Sequence, residues 1–174
     1  QAADNTPLWM RYSAISPDGK TIAFTYQGNI FTVPAEGGRA LQITTNQSYD
    51  TQPVWSPDGS KIAFASYRLG GADIFVVSKD GGAPVRVTTN SANEFPIVFK
   101  DNNTILYSAY ILPDPESMQF PSSTFSQVYQ VDIEGGRPSM FSSLPLESIT
   151  FAPDGKTILY HDKKGYEDPW RKHH

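Results

Sequence analysis

Imidazole is the base that serine and cysteine nucleophiles most often rely on, and this chain has three histidines, His161, His173 and His174, all within the last fourteen residues. No Gly-x-Ser-x-Gly elbow accompanies them, so a hydrolytic triad is not expected and the histidines read as surface loop or tail. His173-His174 reads equally as native chain or as the remnant of a purification tag.

Carboxylates could bind a metal ion or work as a general acid and base. Asp18, Asp58 and Asp154 recur at equivalent places, each between a proline and a glycine. Aspartate in that setting is favoured because its side chain bonds the backbone of a tight turn. The three should also stand about one repeat apart, too far to share an ion. Glu36, Asp80 and Glu134 each precede a Gly-Gly pair and read as hairpin residues, whereas acid-base catalysis needs two groups facing one cleft. No catalytic, cofactor-binding or metal-binding residue is therefore assigned. Among the aromatic residues, Trp9, Trp55 and Trp170 with Tyr12, Tyr49 and Tyr67 could line a binding surface. Trp55 leads directly into a turn, at a position held by Phe99 and Phe151 in other units, and reads as core.

Positioning any of these residues requires a scaffold, and composition narrows it. The chain has 174 residues, 39% of them hydrophobic and 18% charged, enough for a domain with a real core. Thirteen glycines and 14 prolines beside 13% aromatic residues suit short strands joined by tight turns. The net charge of −4 and the lack of a Lys/Arg block make nucleic acid a poor partner. No apolar run reaches the length of a membrane span or looks like a signal core. Without cysteine there are no disulfides or thiolate metal sites. Gln1-Ala2-Ala3-Asp4 fits either the mature end left by signal-peptide removal or an arbitrary boundary.

Self-similarity identifies the scaffold. Ser16-Pro17-Asp18-Gly19-Lys20-Thr21-Ile22-Ala23-Phe24 recurs as Ser56-Pro57-Asp58-Gly59-Ser60-Lys61-Ile62-Ala63-Phe64 and as Ala152-Pro153-Asp154-Gly155-Lys156-Thr157-Ile158-Leu159-Tyr160, with a degenerate copy over 100–107. A second signature follows the first three copies: Asn29-Ile30-Phe31-Thr32-Val33 leads to Glu36-Gly37-Gly38, Asp73-Ile74-Phe75-Val76-Val77 to Asp80-Gly81-Gly82, and Gln127-Val128-Tyr129-Gln130-Val131 to Glu134-Gly135-Gly136. Pro-Asp-Gly sets a turn between two strands, such as Met10 to Ile15 and Thr21 to Tyr26. The acidic-Gly-Gly element closes a hairpin between two more, Ile30 to Val33 and Leu41 to Thr44. Four antiparallel strands per 40 residues is a propeller blade.

The second strand of each unit is apolar at consecutive positions, Ile62-Ala63-Phe64 for example, and so must be covered on both faces. A single sheet cannot do that alone, so blades must stack on one another. The expected fold is all-β, a partial propeller of about three and a half four-stranded antiparallel blades forming one domain over 1–174. The blades span about 10–46, 50–90 and 93–144, followed by an incomplete one over 146–174.

Two departures from the repeat stand out. An insertion over 108–127 carries Pro113, Pro115 and Pro121 with Asp114, Glu116, Met118 and Phe120, and reads as a loop on one face, either a solvated decoration or a binding element. The fourth unit lacks the Gly-Gly hairpin, which is expected of a fragment of a longer chain. Its open blade edges would be covered by the rest of that chain or, in the fragment alone, by a second copy as a homo-oligomer.

The Ser-Pro-Asp-Gly-x-x-Ile-Ala-Phe, Ile-Phe-Val-Val and Asp-Gly-Gly pattern resembles the Pro-Asp propeller repeat of TolB and of tricorn-type proteases, over roughly residues 12 to 163. The stretches 8–19 and 160–174 look like the first propeller of secreted bacterial tricorn-type serine peptidases. That resemblance implies a periplasmic or extracellular protein whose signal peptide has been removed. It further implies a downstream protease domain carrying the nucleophile, and a propeller that guides or binds peptide or protein substrate. The alternative it implies is a TolB-like interaction module with no proteolytic role. A stand-alone enzyme with a site on the propeller face is a third class, which no polar constellation recommends.

Overall fold

The computed structural model describes residues 10–90, 92–110, 126–142, 146–152 and 157–162, and among them only strands, turns and irregular connections occur. A first sheet holds β1 (Arg11–Ile15), β2 (Thr21–Tyr26), β3 (Asn29–Pro34) and β4 (Leu41–Gln42) in that order. A second holds β5 (Asp50–Trp55), β6 (Lys61–Ser66), β7 (Asp73–Ser78) and β8 (Val85–Arg86). The third contains β9 (Asn93–Asp101), β10 (Thr104–Tyr110), β11 (Ser126–Asp132) and β12 (Ser139–Ser142). Two further strands, β13 (Leu146–Phe151) and β14 (Ile158–Asp162), pair with each other. All the pairings are antiparallel. The architecture is an open, partial β-propeller.

The repeated turns form for a stated chemical reason. The Ser16 hydroxyl donates to the Asp18 carboxylate at 2.6 Å, the same carboxylate accepts the N–H of Lys20 at 3.0 Å, and Ser16 Oγ accepts the N–H of Thr21 at 2.9 Å. Ser56, Asp58, Ser60 and Lys61 repeat the pattern at 2.6, 2.9 and 2.9 Å. Gly19 and Gly59 take the positive φ, 72° and 69°, that such a turn demands.

Alternation of side chains distributes the core. Ile62 and Phe64 on β6 point back into a cluster with Ala23, Ile30 and Ile43 of the first sheet. Ala63, between them, points forward into a cluster with Phe99, Ile105 and Tyr107 of the third. On β10 the same split recurs, Leu106 joining Ile149 of the fourth unit. Each core therefore lies at a seam between sheets, as consecutive apolar residues on a two-sided strand require. The first strands of neighbouring units touch in series, β1 with β5, β5 with β9 and β9 with β13, which places them innermost.

The third unit corrects one sequence boundary. The insertion expected over 108–127 begins later and ends sooner, because Ser108, Ala109 and Tyr110 continue the ladder opposite Val128, Gln127 and Ser126. Small and polar side chains there gave no signal of strand, yet the backbone pairing continues through them. The segment between Tyr110 and Ser126 lies outside the described residues, as do Trp9, Asp154, Trp170, His173 and His174.

Candidate functional site

Antiparallel order fixes two opposite ends of each sheet. The Pro-Asp-Gly and Gly-Gly turns share one end. The other end carries the β2–β3 type turns and the connections from each outer strand to the next inner strand. On this second face the structure brings together tyrosines that are far apart in sequence. Tyr49 and Tyr67 have ring centroids 6.3 Å apart, and Tyr67 and Phe95 are 6.5 Å apart. The Tyr67 N–H donates to the Tyr49 carbonyl at 3.1 Å, and the Tyr49 ring rests 3.4 Å from where a Cβ on Gly28 would stand. Burial raises the pKa of Tyr67, with smaller contributions from the nearby phenols of Tyr12 and Tyr49.

The cluster spans three sheets: Tyr12 from the first, Tyr49 and Tyr67 from the second, Phe95 from the third. Tyr12, Tyr49 and Tyr67 are 49%, 42% and 37% exposed, so their rings are available to a ligand. Tyr12 has φ of 52° and Gln52, its equivalent forty residues on, has 53°. Both occupy irregularities in the pairing of the innermost strand, between Arg11 and Ala14 in one and Thr51 and Val54 in the other. A bulge with a left-handed residue re-aims the side chain at the cost of local strain. Tyr110 and Ser126, which bracket the 111–125 segment, pair at this same end of the third sheet.

Beneath the tyrosines lies a paired charge. Asp50 is fully buried and accepts two contacts from Arg68 at 3.2 and 3.3 Å, plus the side-chain amide of Asn46 at 2.7 Å. Arg68 also donates to Ser66 Oγ at 2.8 Å and stacks 4.3 Å over Phe75. Neither charge is left to attract a ligand, so the face offers aromatic rings over a neutralised base. Arg68, Asp50 and Phe95 were not expected from the sequence. The recurrence of Thr44-Thr45-Asn46 as Thr88-Thr89-Asn90, each followed by an acid four residues after the asparagine, is the signal that could have found the buried carboxylates.

Among the described residues the other sequence candidates form no metal centre, although the turns of Asp18 and Asp58 border one groove on the opposite face. Asp18 and Asp58 are committed to their own turns, and the hydrogen bonds from Ser56 and then Ser60 hold Asp58 down to about 2. Asp18 is lowered by the same contacts from Ser16 and Lys20. Among the described residues no three of His, Cys, Asp and Glu gather in a way that could hold a metal ion. Glu36, Asp80 and Glu134 stand one on each Gly-Gly turn, with no shared cleft. Trp55 packs against the seam between the first two sheets while staying only partly buried, and Phe99 at the equivalent place is fully in the core.

The chain matches, over residues 7–174, the family described as the tricorn protease N-terminal beta propeller domain. A putative tricorn-like protease N-terminal subunit of Sulfurisphaera tokodaii is 24% identical over 166 residues, covering 92% of this chain and 79% of that protein. Tricorn protease homolog 1 of Streptomyces coelicolor is 33% identical over 68 residues, 39% of this chain. This chain matches only 6% of the Streptomyces protein's length. Among solved structures, a putative TolB from Agrobacterium tumefaciens superposes with a TM-score of 0.68 at 23% identity, over 90% of this chain and 60% of that one. At that identity the likeness concerns the fold.

Proposed function

This chain belongs to the tricorn protease N-terminal β-propeller family, and from that premise we propose that it is the non-catalytic propeller part of a tricorn-like serine peptidase that guides or binds peptide substrate. The observation that supports this reading is the exposed cluster of Tyr12, Tyr49, Tyr67 and Phe95, assembled from three sheets on the face that also bears the ends of the 111–125 segment. Tyrosines offer large, stiff contact surfaces at little entropic cost, and suit an extended chain whose sequence varies. The catalytic residues would lie in a protease domain elsewhere in the parent protein. The setting we propose is periplasmic or extracellular, supported by the resemblance of residues 8–19 and 160–174 to secreted tricorn-type peptidases.

Fluorescence anisotropy of a short labelled, unstructured peptide carrying Leu and Phe tests the reading. We expect saturable binding that Tyr49→Ala and Tyr67→Ala each weaken. Binding that is absent, or indifferent to both substitutions, would remove the tyrosine face from the proposal.

A second reading, a TolB-like interaction module without proteolysis, is favoured by the fold match over most of the chain. The parent gene separates the two, since only the first requires a serine peptidase domain in the same protein. In either case Ile15, Leu159 and Tyr160, at 62%, 71% and 57% exposure on the outermost units, are surfaces we propose to be covered by further chain or a second copy. Sedimentation of the isolated chain at rising concentration would reveal self-association through them.

A further inference from the structure

On the Pro-Asp-Gly face, the seam between the first and second sheets widens into a groove of about 700 Å³. Trp55 forms part of its wall. The indole N–H donates to the Ala14 carbonyl across the seam at 3.0 Å, which fixes the ring, and the exposed Leu41 also lines the groove.

Charge is distributed along the groove in order. Asp18 and Asp58, on the β1–β2 and β5–β6 turns, stand at the inner end. Arg39 and Lys79 stand at the outer end, on the β3–β4 and β7–β8 connections, with Asp80 4.0 Å from Lys79. Lys20 and Lys61 act electrostatically on the two inner carboxylates without lining the groove. Two strand spacings separate the inner and outer turns, roughly 10 Å. An extended peptide covers about 3.5 Å per residue, so about three residues reach from one end to the other.

The neighbouring seam shows that these residues are not simply repeat chemistry. Trp55 pairs with Ile62 as Phe99 pairs with Ile105, and Phe99 is buried. Lys79 N–H bonds the Ser60 carbonyl as Ile133 N–H bonds that of Asn103, which makes Ile133 the counterpart of Lys79. Arg39 follows Gly37-Gly38 as Ala83 follows Gly81-Gly82. At the inner end, the Asp58 N–H is taken by the Asn102 side chain at 3.0 Å. The aromatic surface and both outer cations thus occur together at the first seam and are replaced by Phe99, Ala83 and Ile133 at the second.

We propose that this groove is a binding site for short peptides of about three residues with free termini, the ammonium group meeting Asp18 and Asp58, the carboxylate meeting Arg39 and Lys79, and an apolar side chain resting on Trp55. Hydrogen bonds within their own turns lower the pKa of both inner carboxylates, which favours their ionised form. The site lies on the face opposite the tyrosines and does not depend on them.

Titrating alanyl-leucyl-alanine into the chain carrying Trp9→Phe and Trp170→Phe, where Trp55 is the one remaining indole, tests the proposal. A saturable fluorescence change with Kd on the order of 1 mM is expected. N-acetylation or C-amidation of the peptide should each weaken binding roughly fivefold, and Arg39→Ala should weaken the free peptide roughly fivefold while leaving the amidated one unchanged. Because the signal comes from the Trp55 indole on the opposite face, its retention when the anisotropy assay of the tyrosine face fails, or the reverse, separates failure here from failure of that reading. If the double Phe variant unfolds, the indole N–H signals of the natural chain in a nitrogen-edited NMR titration give the same reading. Absence of saturation up to about 20 mM, or equal binding of the doubly blocked peptide, would overturn the proposal.

Discussion

Glu94 occupies in the third sheet the position that Asp50 occupies in the second. The two backbone N–H groups donate into the preceding sheet, to Gly28 at 2.9 Å for Asp50 and to Ala72 at 2.8 Å for Glu94. Each carboxyl group accepts the side-chain amide of an asparagine four residues earlier, Asn46 at 2.7 Å and Asn90 at 2.8 Å. Each is fully buried. They differ in what neutralises them. Arg68 covers Asp50, whereas the counterpart of Arg68 in the third unit is Ile111, and Glu94 Oε2 has no hydrogen-bond partner among the described residues. Burial raises the pKa of Glu94, outweighing the contacts with Thr88, Asn90 and Tyr107, and the nearby Asp73, itself paired with Arg86 at 3.0 Å, adds to the rise.

That difference gives a signed pH dependence. A carboxyl whose folded pKa lies above its ordinary value keeps its proton over a range where the unfolded chain releases it. Its contribution to stability is complete below the ordinary value of 4.5 and is lost as pH rises through the folded pKa. Glu94→Gln keeps the shape without the ionisation. The variant should gain on the parent in urea unfolding as pH rises from about 5 to about 8. A difference between variant and parent that stays constant over that range would mean that Glu94 does not titrate there.

Arg68 presents the opposite case, a buried carboxylate that depends on its cation. Removing one partner of such a pair strands the other, so Arg68→Ala should destabilise the chain by about 3 kcal/mol. Some of that loss is packing on Phe75. Arg68→Met preserves packing and should still cost more than half as much, while Asp50→Asn in the Arg68→Met background should recover part of the loss. Urea midpoints of the set check this. Full recovery by Arg68→Met alone would show that the charge pair contributes nothing.

Asp58 should behave as a turn residue whose effect appears in acid. Its folded pKa is held down to about 2, first by the Ser56 hydroxyl and then by Ser60, so its contribution is present above the ordinary 3.8 and lost as pH falls toward 2. Asp58→Asn should lower the melting temperature at neutral pH, and the gap should narrow as pH falls from about 5 to about 2. A gap independent of pH over that range would assign the effect to geometry alone.

Local patterns carried most of the fold. The Pro-Asp-Gly turns and the consecutive Ile62-Ala63-Phe64 each report a backbone or packing requirement within a few residues, and the structure uses them in that way. Contacts between units were not legible. Tyr12 comes near Tyr67 only because a blade seam joins their sheets, and Trp55 reaches Ala14 across 41 residues. Asp50 and Arg68 lie 18 residues apart across the first hairpin of the second sheet, and nothing in the residues next to either one marks the pairing. The edge of the 111–125 segment was misplaced because Ser108 and Gln127 carry no strand preference strong enough to mark where pairing stops.

Tyr67 stands at the centre of the aromatic face, with Tyr49 on one side and Phe95 on the other. Because the fold, these neighbours included, covers all but 37% of this residue, Tyr67→Ala should cost about 2 kcal/mol of stability. If peptide substrate lies on this face, the same change removes the ring that both neighbours pack against, and affinity should fall about tenfold in the anisotropy assay. Tyr67→Phe distinguishes two versions of the contact: affinity near that of the parent means stacking and burial dominate, and a loss matching alanine means the hydroxyl is the contact. Tyr67→Ala that leaves affinity unchanged, in a chain that urea unfolding shows to be folded, would show that the cluster is a feature of the fold without a role in binding.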